Sequence, residues 1–308
     1  QGNLNNQIGV PLTLLQITRA HELAIVEMGA SHPGDIKELV DIAEPNYGLI
    51  TNVGRAHLEG FGSFEGVQRT KQELYDYLLA HNGTIFRNTD NPYLAAMHQN
   101  ALQAAGDLQH NDLQDQGSDL QRSDLHYTTG VMPSGTNLVG EYNAENVSAA
   151  ICVGEHFGIF REQALEAIRQ YVPTNNRSQH MQTAHNQLVV DAYNANPTSM
   201  EAALKNFSNI KADRKYAMLG DMLELGDDSL NLHLSVLEQC AASGFERVFL
   251  VGKEFGDALR ERGDDAGFLW FRDSASLAEW CASGEIQDAV VLIKGSRGTR
   301  MEKVIPSL

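Results

Sequence analysis

The 308 residues carry 40 acidic against 23 basic side chains, a formal charge of -17, with 42% hydrophobic and 20% charged residues. That length suits about two domains of the usual ~100 to 200 residues, and the composition excludes wholesale disorder. So acidic a chain is a poor partner for nucleic acid, where affinity rests on Lys and Arg neutralising phosphates.

From Glu22 to about Asn100, short β-rich runs alternate with amphipathic stretches, the pattern of α/β layering. Strands are predicted at Leu23 to Met28, Tyr47 to Val53 and Thr84 to Asn88. Helices are predicted between them, from Pro33 to Ala43, with proline at the start, and from Phe64 to Leu79, where Val67, Leu74, Tyr75 and Leu78 recur at helical spacing. The stretch from about Met97 to Met132 is rich in Gln, Asp, Asn and Ser and reads as a loop or a frayed helix. Asn143 to Gly154 and Glu162 to Tyr171 read as helices joined by a turn around Gly158, with a domain boundary near Pro173 to Gln182. Beyond it, strands predicted at Leu188 to Ala192, Tyr216 to Gly220, Val248 to Gly252, Phe268 to Phe271 and Ala289 to Lys294 describe a second, Rossmann-like open sheet.

Cys152, Cys240 and Cys281 are far apart and lack metal-ligand spacing, so they read as reduced thiols, buried as small apolar groups. No apolar run approaches the ~18 residues that span a bilayer, and Gln1 to Asn6 lacks the features of a signal peptide, so a cytoplasmic protein without a membrane span is expected.

In doubly wound sheets ligands bind beyond the carboxyl ends of strands, so polar residues just after a β-run are the first candidates. Glu27, followed by Gly29, could hold a hydrated Mg²⁺ or be a plain loop carboxylate. His57, in the Gly-punctuated run after Val53, could face a metal or a phosphoryl group, although a lone His is more often only hydrogen bonded. Lys71, flanked by Arg69 and Glu73, reads on its own as solvated charge. Asn143 and Asn146 share a helix face and could read a purine edge, or Asn143 could cap the helix. Asp191, Tyr193, Asn194 and Asn196 follow the first strand of the second sheet, Asp221 and Glu224 follow the next, and the KGSRG run from Lys294 follows the last, a natural carboxylate or phosphate receptor. No G-x-x-x-x-G-K-[ST] phosphate loop occurs in these residues.

Seven strings give a far more specific signal than any of these motifs singly: GNLNNQIGVPLTLL from Gly2, AIVEMGASHPGDI from Ala24, ITNVGRAHLEGFGSFEGV from Ile50, GEYNAENVSAA from Gly140, DAYNANPTSM from Asp191, LGDMLELG from Leu219 and KGSRGTRME from Lys294. In order and wording they resemble the Mur ligase family, closest to its D-alanyl-D-alanine-adding branch. The resemblance implies an α/β chain made of a partial central ATPase domain, residues 1–176, followed by a Rossmann-like C-terminal domain, residues 177–308. Gln1 then corresponds to a point downstream of the family's phosphate loop, so the fragment by itself is expected to be inactive.

The implied activity is ATP-dependent peptide ligation in peptidoglycan precursor synthesis, through an acyl phosphate, with ATP and Mg²⁺ as cofactors. UDP-N-acetylmuramoyl-tripeptide and D-alanyl-D-alanine would be the substrates of a monomeric enzyme. By the same resemblance Glu27 would hold one Mg²⁺, and His57 with a carbamoylated Lys71 a second. Asn143 and Asn146 would meet the adenine, Arg177 and Asp191 the phosphates and ribose, and Asn194, Asn196, Lys294, Ser296 and Arg297 the peptide substrates. The rival readings are another Mur or folylpolyglutamate-type amide ligase and a non-catalytic binding module of the same fold.

Overall fold

A computed structural model describes residues 4–54, 58–112, 124–138, 143–173, 179–264 and 267–308. The chain divides into two units, one of Gln1–Val53, His57–Gly130 and Glu145–Arg161, the other of Gly54–Ala56, Val131–Ala144 and Glu162–Leu308. The predicted boundary at 176/177 lies outside the described residues.

The first unit contains α1 (Gly9–Leu14), α2 (Asp35–Ala43), β1 (Tyr47–Leu49), α3 (Leu58–Phe61), α4 (Phe64–Ala80), β2 (Thr84–Asn88), α5 (Pro92–Asp112), β3 (Leu125–Tyr127) and most of α6 (Asn143–His156). Its three strands pair in parallel in the order β1-β2-β3. A parallel sheet must be covered by helices, and here Val67, Tyr75, Leu78 and Leu79 of α4 close over Ile85 with Leu94, Met97 and Ala101 of α5. Gly48 in β1 leaves room for that packing, since a β-carbon there would fall 2.4 Å from Leu78 Cδ1 and push the side chain aside. Ser63 starts α4 by accepting the Gly66 amide at 3.0 Å.

Two expectations are corrected in this unit. Leu23 to Met28 forms no strand. A strand exists only as one side of a hydrogen-bonded pair, and among the described residues this run has no partner, leaving Leu23 46% and Ile25 84% exposed. The Met97 to Met132 stretch, expected as a loop or a frayed helix, is helical as far as Asp112, and the correction there is the strand at Leu125–Tyr127, which pairs beside β2.

The second unit contains most of α7 (Arg161–Gln170), then β4 (Gln179–Gln182), β5 (Gln187–Asp191), α8 (Pro197–Ser208), β6 (Lys215–Gly220), α9 (Ser229–Ala242), β7 (Arg247–Val251), α10 (Lys253–Arg262), β8 (Phe268–Phe271), α11 (Ser274–Cys281) and β9 (Val290–Lys294). The sheet order is β4-β5-β9-β6-β7-β8, parallel except for β4. All five strands expected here form, within a residue or so of their predicted ends.

Alternation along these strands fills two apolar layers. Val189, Ala217, Leu219, Val248, Leu250 and Leu292 face the core built with Met200, Leu204, Leu237 and Phe255. Leu188, Val190, Met218, Phe249, Val291 and Ile293 face the opposite core with Leu277, Cys281 and Met301. Burial on both faces is why these strands read as unbroken apolar runs. The chain end is fastened too, since the Asn186 side-chain amide donates to the Leu308 carbonyl at 2.8 Å.

Candidate active site

The carboxyl ends of β5, β6 and β9 gather most of the polar residues predicted for the second unit. Lys294, the last residue of β9, is fully buried and donates from Nζ to Asp191 Oδ2 at the end of β5 (2.5 Å) and to the Asn194 carbonyl (3.3 Å). Parallel pairing of β5 with β9 sets this up, because Asp191 and Lys294 are register partners. The ammonium therefore pins both the strand end and the turn that follows it.

Asn194 is exposed and its Oδ1 accepts the next amide, of Ala195, at 2.9 Å. Asn196 caps α8: its Oδ1 accepts from Ser199 N at 2.9 Å while its own amide donates to Ser199 Oγ at 3.1 Å, and Pro197 occupies the first helical position. Ser296 is buried. Its Oγ donates to the Ala195 carbonyl (3.1 Å) and accepts from Leu223 N (3.0 Å), and its amide donates to the Asp221 carbonyl (3.1 Å). Arg297 is exposed, with its guanidinium 5.2 Å from the Tyr193 ring centre. The exposed guanidinium, beside the Asn194 turn anchored to the same strand ends, offers donors of the type that pair with carboxylate or phosphate oxygens.

Asp221, just after β6, faces inward. Its two oxygens accept from the Glu254 and Phe255 amides at 3.0 and 2.9 Å, capping the start of α10. Burial raises its pKa, against which these two amides work. Gly252 has φ +114°, and a β-carbon there would lie 2.2 Å from Asp221 Oδ2. Sequence reasoning missed His233, fully buried on α9, whose Nε2 accepts from Met222 N at 3.1 Å. The available signal was a histidine in the apolar row of Val236, Leu237 and Cys240.

In the first unit Glu27 is exposed and accepts from the Asn5 side-chain amide at 3.1 Å, and Gly29 N donates to the Asn5 carbonyl at 2.7 Å. The next turn is held by Asp35, which accepts from the Ser31 and His32 amides at 2.8 Å each. Gly60 of α3 packs on that turn so closely that a β-carbon would fall 2.0 Å from the Ser31 carbonyl oxygen. Lys71 on α4 donates to the Asn52 carbonyl at 2.9 Å, beyond the end of β1, and desolvation lowers its pKa. Its neighbour Glu73 is occupied elsewhere, accepting from Gly34 N and Lys37 N at the start of α2.

Asn143 is buried at the first residue of α6 and Asn146 exposed one turn later. His57 and Arg177 lie outside the described residues. Among the described residues no three His, Cys, Asp or Glu side chains cluster as a metal site, and no helix is long and apolar enough to cross a membrane.

The chain matches the family model of the Mur ligase middle domain over residues 1–154 and that of the Mur ligase, glutamate ligase domain over residues 176–297. Over its whole length it is 32% identical to the UDP-N-acetylmuramoyl-tripeptide–D-alanyl-D-alanine ligase of Escherichia coli and 30% identical to that of Bacillus subtilis, covering 70% and 68% of those proteins. A crystal structure of MurF from Acinetobacter baumannii superposes with a TM-score of 0.80 at 27% identity, over all of this chain and 69% of that one. MurF from Thermotoga maritima in complex with ADP shares the fold with the same TM-score, 0.80, at 22% identity, over all of this chain and 71% of that one. With both family models matched in sequence order, this chain belongs to the Mur ligase family.

Proposed function

We propose that the chain is the central and C-terminal part of an ATP-dependent ligase that joins D-alanyl-D-alanine to a UDP-N-acetylmuramoyl-tripeptide. The observation that carries this reading is full-length identity of 30 to 32% to enzymes of that name, together with a built polar cluster at the strand ends of the second unit. In such a reaction the terminal carboxylate of the tripeptide takes the γ-phosphoryl group of ATP, releasing ADP. The dipeptide amine then attacks the acyl phosphate and inorganic phosphate leaves. The protein's part is alignment and charge neutralisation.

Arg297 and the Asn194 turn, both exposed, take the peptide carboxylates, while Lys294, Ser296 and Asn196 act by holding those groups in place. Asn143 and Asn146 meet the adenine, and Arg177 and Asp191 the phosphates and ribose. Glu27, His57 and Lys71 are the residues that would hold Mg²⁺, which supplies neutralisation of the anionic oxygens of ATP and the acyl phosphate. The fit of the described members is chemical. Glu27 offers an exposed carboxylate, and the lowered pKa of Lys71 favours the neutral amine that combines with carbon dioxide to give a carbamate, an anion where an ammonium would repel the cation.

The experiment supplies the chain with the upstream phosphate-loop segment of its Escherichia coli relative and measures phosphate release dependent on tripeptide precursor and D-alanyl-D-alanine. Lys71→Ala is expected to lower turnover by at least about 100-fold with unchanged circular dichroism. Wild-type turnover in that variant removes Lys71 from the mechanism, and stimulation by glutamate in place of the dipeptide would favour a folylpolyglutamate-type ligase.

A further inference from the structure

His233 occupies the apolar face of α9, where the row of Val236, Leu237 and Cys240 asks only for a packing residue, yet both of its ring nitrogens are engaged. Nδ1 lies 2.7 Å from the Ser229 carbonyl, one turn earlier, and must donate to it. Nε2 is then the unprotonated nitrogen, and it accepts the Met222 amide at 3.1 Å. The charged groups facing the ring are Asp221 from the end of β6 and Glu254 from α10; Glu254 also accepts from Ser229 Oγ at 2.8 Å, and the Phe255 ring stands edge-on at 4.6 Å.

The loop gripped at Met222 is the same loop that holds the strand-end cluster. Met222 and Leu225 are buried, while Leu223 and Glu224 between them face outward. The Leu223 amide reaches Ser296 Oγ, Ser296 Oγ reaches the Ala195 carbonyl, and the Ser296 amide returns to Asp221. One histidine on α9 thus fixes a loop whose next residue binds the hydroxyl beside Arg297.

We propose that His233 is a positioning residue: as a neutral acceptor it locks the 221–225 loop and, through Ser296, sets the turns carrying Arg297 and Asn194 in the arrangement that receives the incoming dipeptide. The last clause rests on the function proposed above; the locking of the loop does not. Protonation would fill the Nε2 lone pair and leave the Met222 amide without its acceptor in a buried setting. Burial lowers the His233 pKa from 6.5, which keeps the ring neutral near pH 7.

The test compares wild type with His233→Gln, which keeps an acceptor near the Nε2 position but cannot titrate, and His233→Phe, which keeps the bulk and removes the acceptor. In the 308-residue chain, amide exchange at Met222 and Leu223 is expected to be at least about tenfold faster in H233F and within about threefold of wild type in H233Q. In the ligase assay described above, H233F is expected to raise KM for D-alanyl-D-alanine about tenfold with KM for ATP unchanged, and H233Q to restore it. Wild-type KM for the dipeptide should rise only as the pH falls through the lowered pKa of the folded His233, below the ordinary histidine value, and that of H233Q should not.

Wild-type exchange in H233F overturns the positioning role whatever the activity. A loosened loop with unchanged dipeptide KM overturns its link to the site. Absence of ligation in every variant, wild type included, counts against the proposed function, and amide exchange still decides the locking. Should H233F not fold, the Met222 amide shift and the His233 ring signals of the wild type are followed together as the pH is lowered from 7.5, and a Met222 amide that does not move when the ring titrates overturns the proposal.

Discussion

Lys294→Met is the sharpest perturbation of the strand-end cluster. Methionine nearly matches lysine in volume, so no cavity opens, but the Asp191 carboxylate loses its cation and the Asn194 carbonyl loses a donor. The Lys294 side chain is 1% exposed and that of Asp191 16%. Breaking a buried pair by removing one partner costs ~3 to 5 kcal/mol, and the residual solvent access of Asp191 places this case near the lower end, at ~3 kcal/mol. Asp191→Asn strands the fully buried ammonium instead and should cost more. The double variant, with neither charge, should lie within ~1 kcal/mol of wild type, so that the two single costs far exceed the double one, by at least ~5 kcal/mol. Both tryptophans, Trp270 on β8 and Trp280 on α11, belong to the second unit, so urea unfolding followed by their fluorescence reports that unit alone. With m of about 2 kcal/mol per M, Lys294→Met should lower the midpoint by about 1.5 M. A drop under about 0.5 M, or a double variant whose cost is the sum of the single ones, would refute the assignment of this contact as a strong buried ion pair.

Gly252→Ala should destabilise the second unit by ~2 to 4 kcal/mol, because the new β-carbon meets the Asp221 carboxylate at a backbone angle that L-residues avoid; a change under ~1 kcal/mol in the same urea experiment would count against the close approach. Asn196→Ala should cost about 1 kcal/mol through loss of the α8 cap, and Asn196→Asp should recover most of it. The pH dependence follows from His233, whose folded pKa is depressed by burial, so between that pKa and 6.5 the unfolded chain binds more protons than the folded one. Wild-type stability should therefore fall as pH drops below 6.5, by at most ~1.4 kcal/mol per pH unit, and fall less steeply in His233→Gln. The raised pKa of Asp221 acts oppositely at lower pH, where protonation in the folded state offsets part of the loss. Parallel urea midpoints of the two proteins between pH 7 and 5 would remove His233 from the acid response.

The acyl-phosphate reading places different demands on the two units, and their local structure is suited to different parts of it. The second unit presents a guanidinium and a polar turn fixed by buried hydrogen bonds, the means to orient carboxylates. The first presents an exposed carboxylate and a lysine whose ammonium form is disfavoured.

The sequence by itself determined the α/β class, the run of strands β5 to β9 and the helix from Phe64, because alternation and helical spacing record which side of each element is apolar. It also carried the family, through strings such as DAYNANPTSM and LGDMLELG, and it marked the strand ends as the place for polar chemistry. Local pattern could not say whether a run finds a partner: the apolar Leu23 to Met28 lacks one among the described residues, while the polar Gln179–Gln182 becomes a strand because β5 offers it an edge. Nor could it divide the polar cluster into groups that face outward, as Arg297 and Asn194 do, and groups spent within, as Lys294, Ser296 and His233 are. Those roles come from hydrogen bonds between residues far apart in sequence, such as Lys294 with Asp191, and partners so distant meet only when the sheet closes in one register.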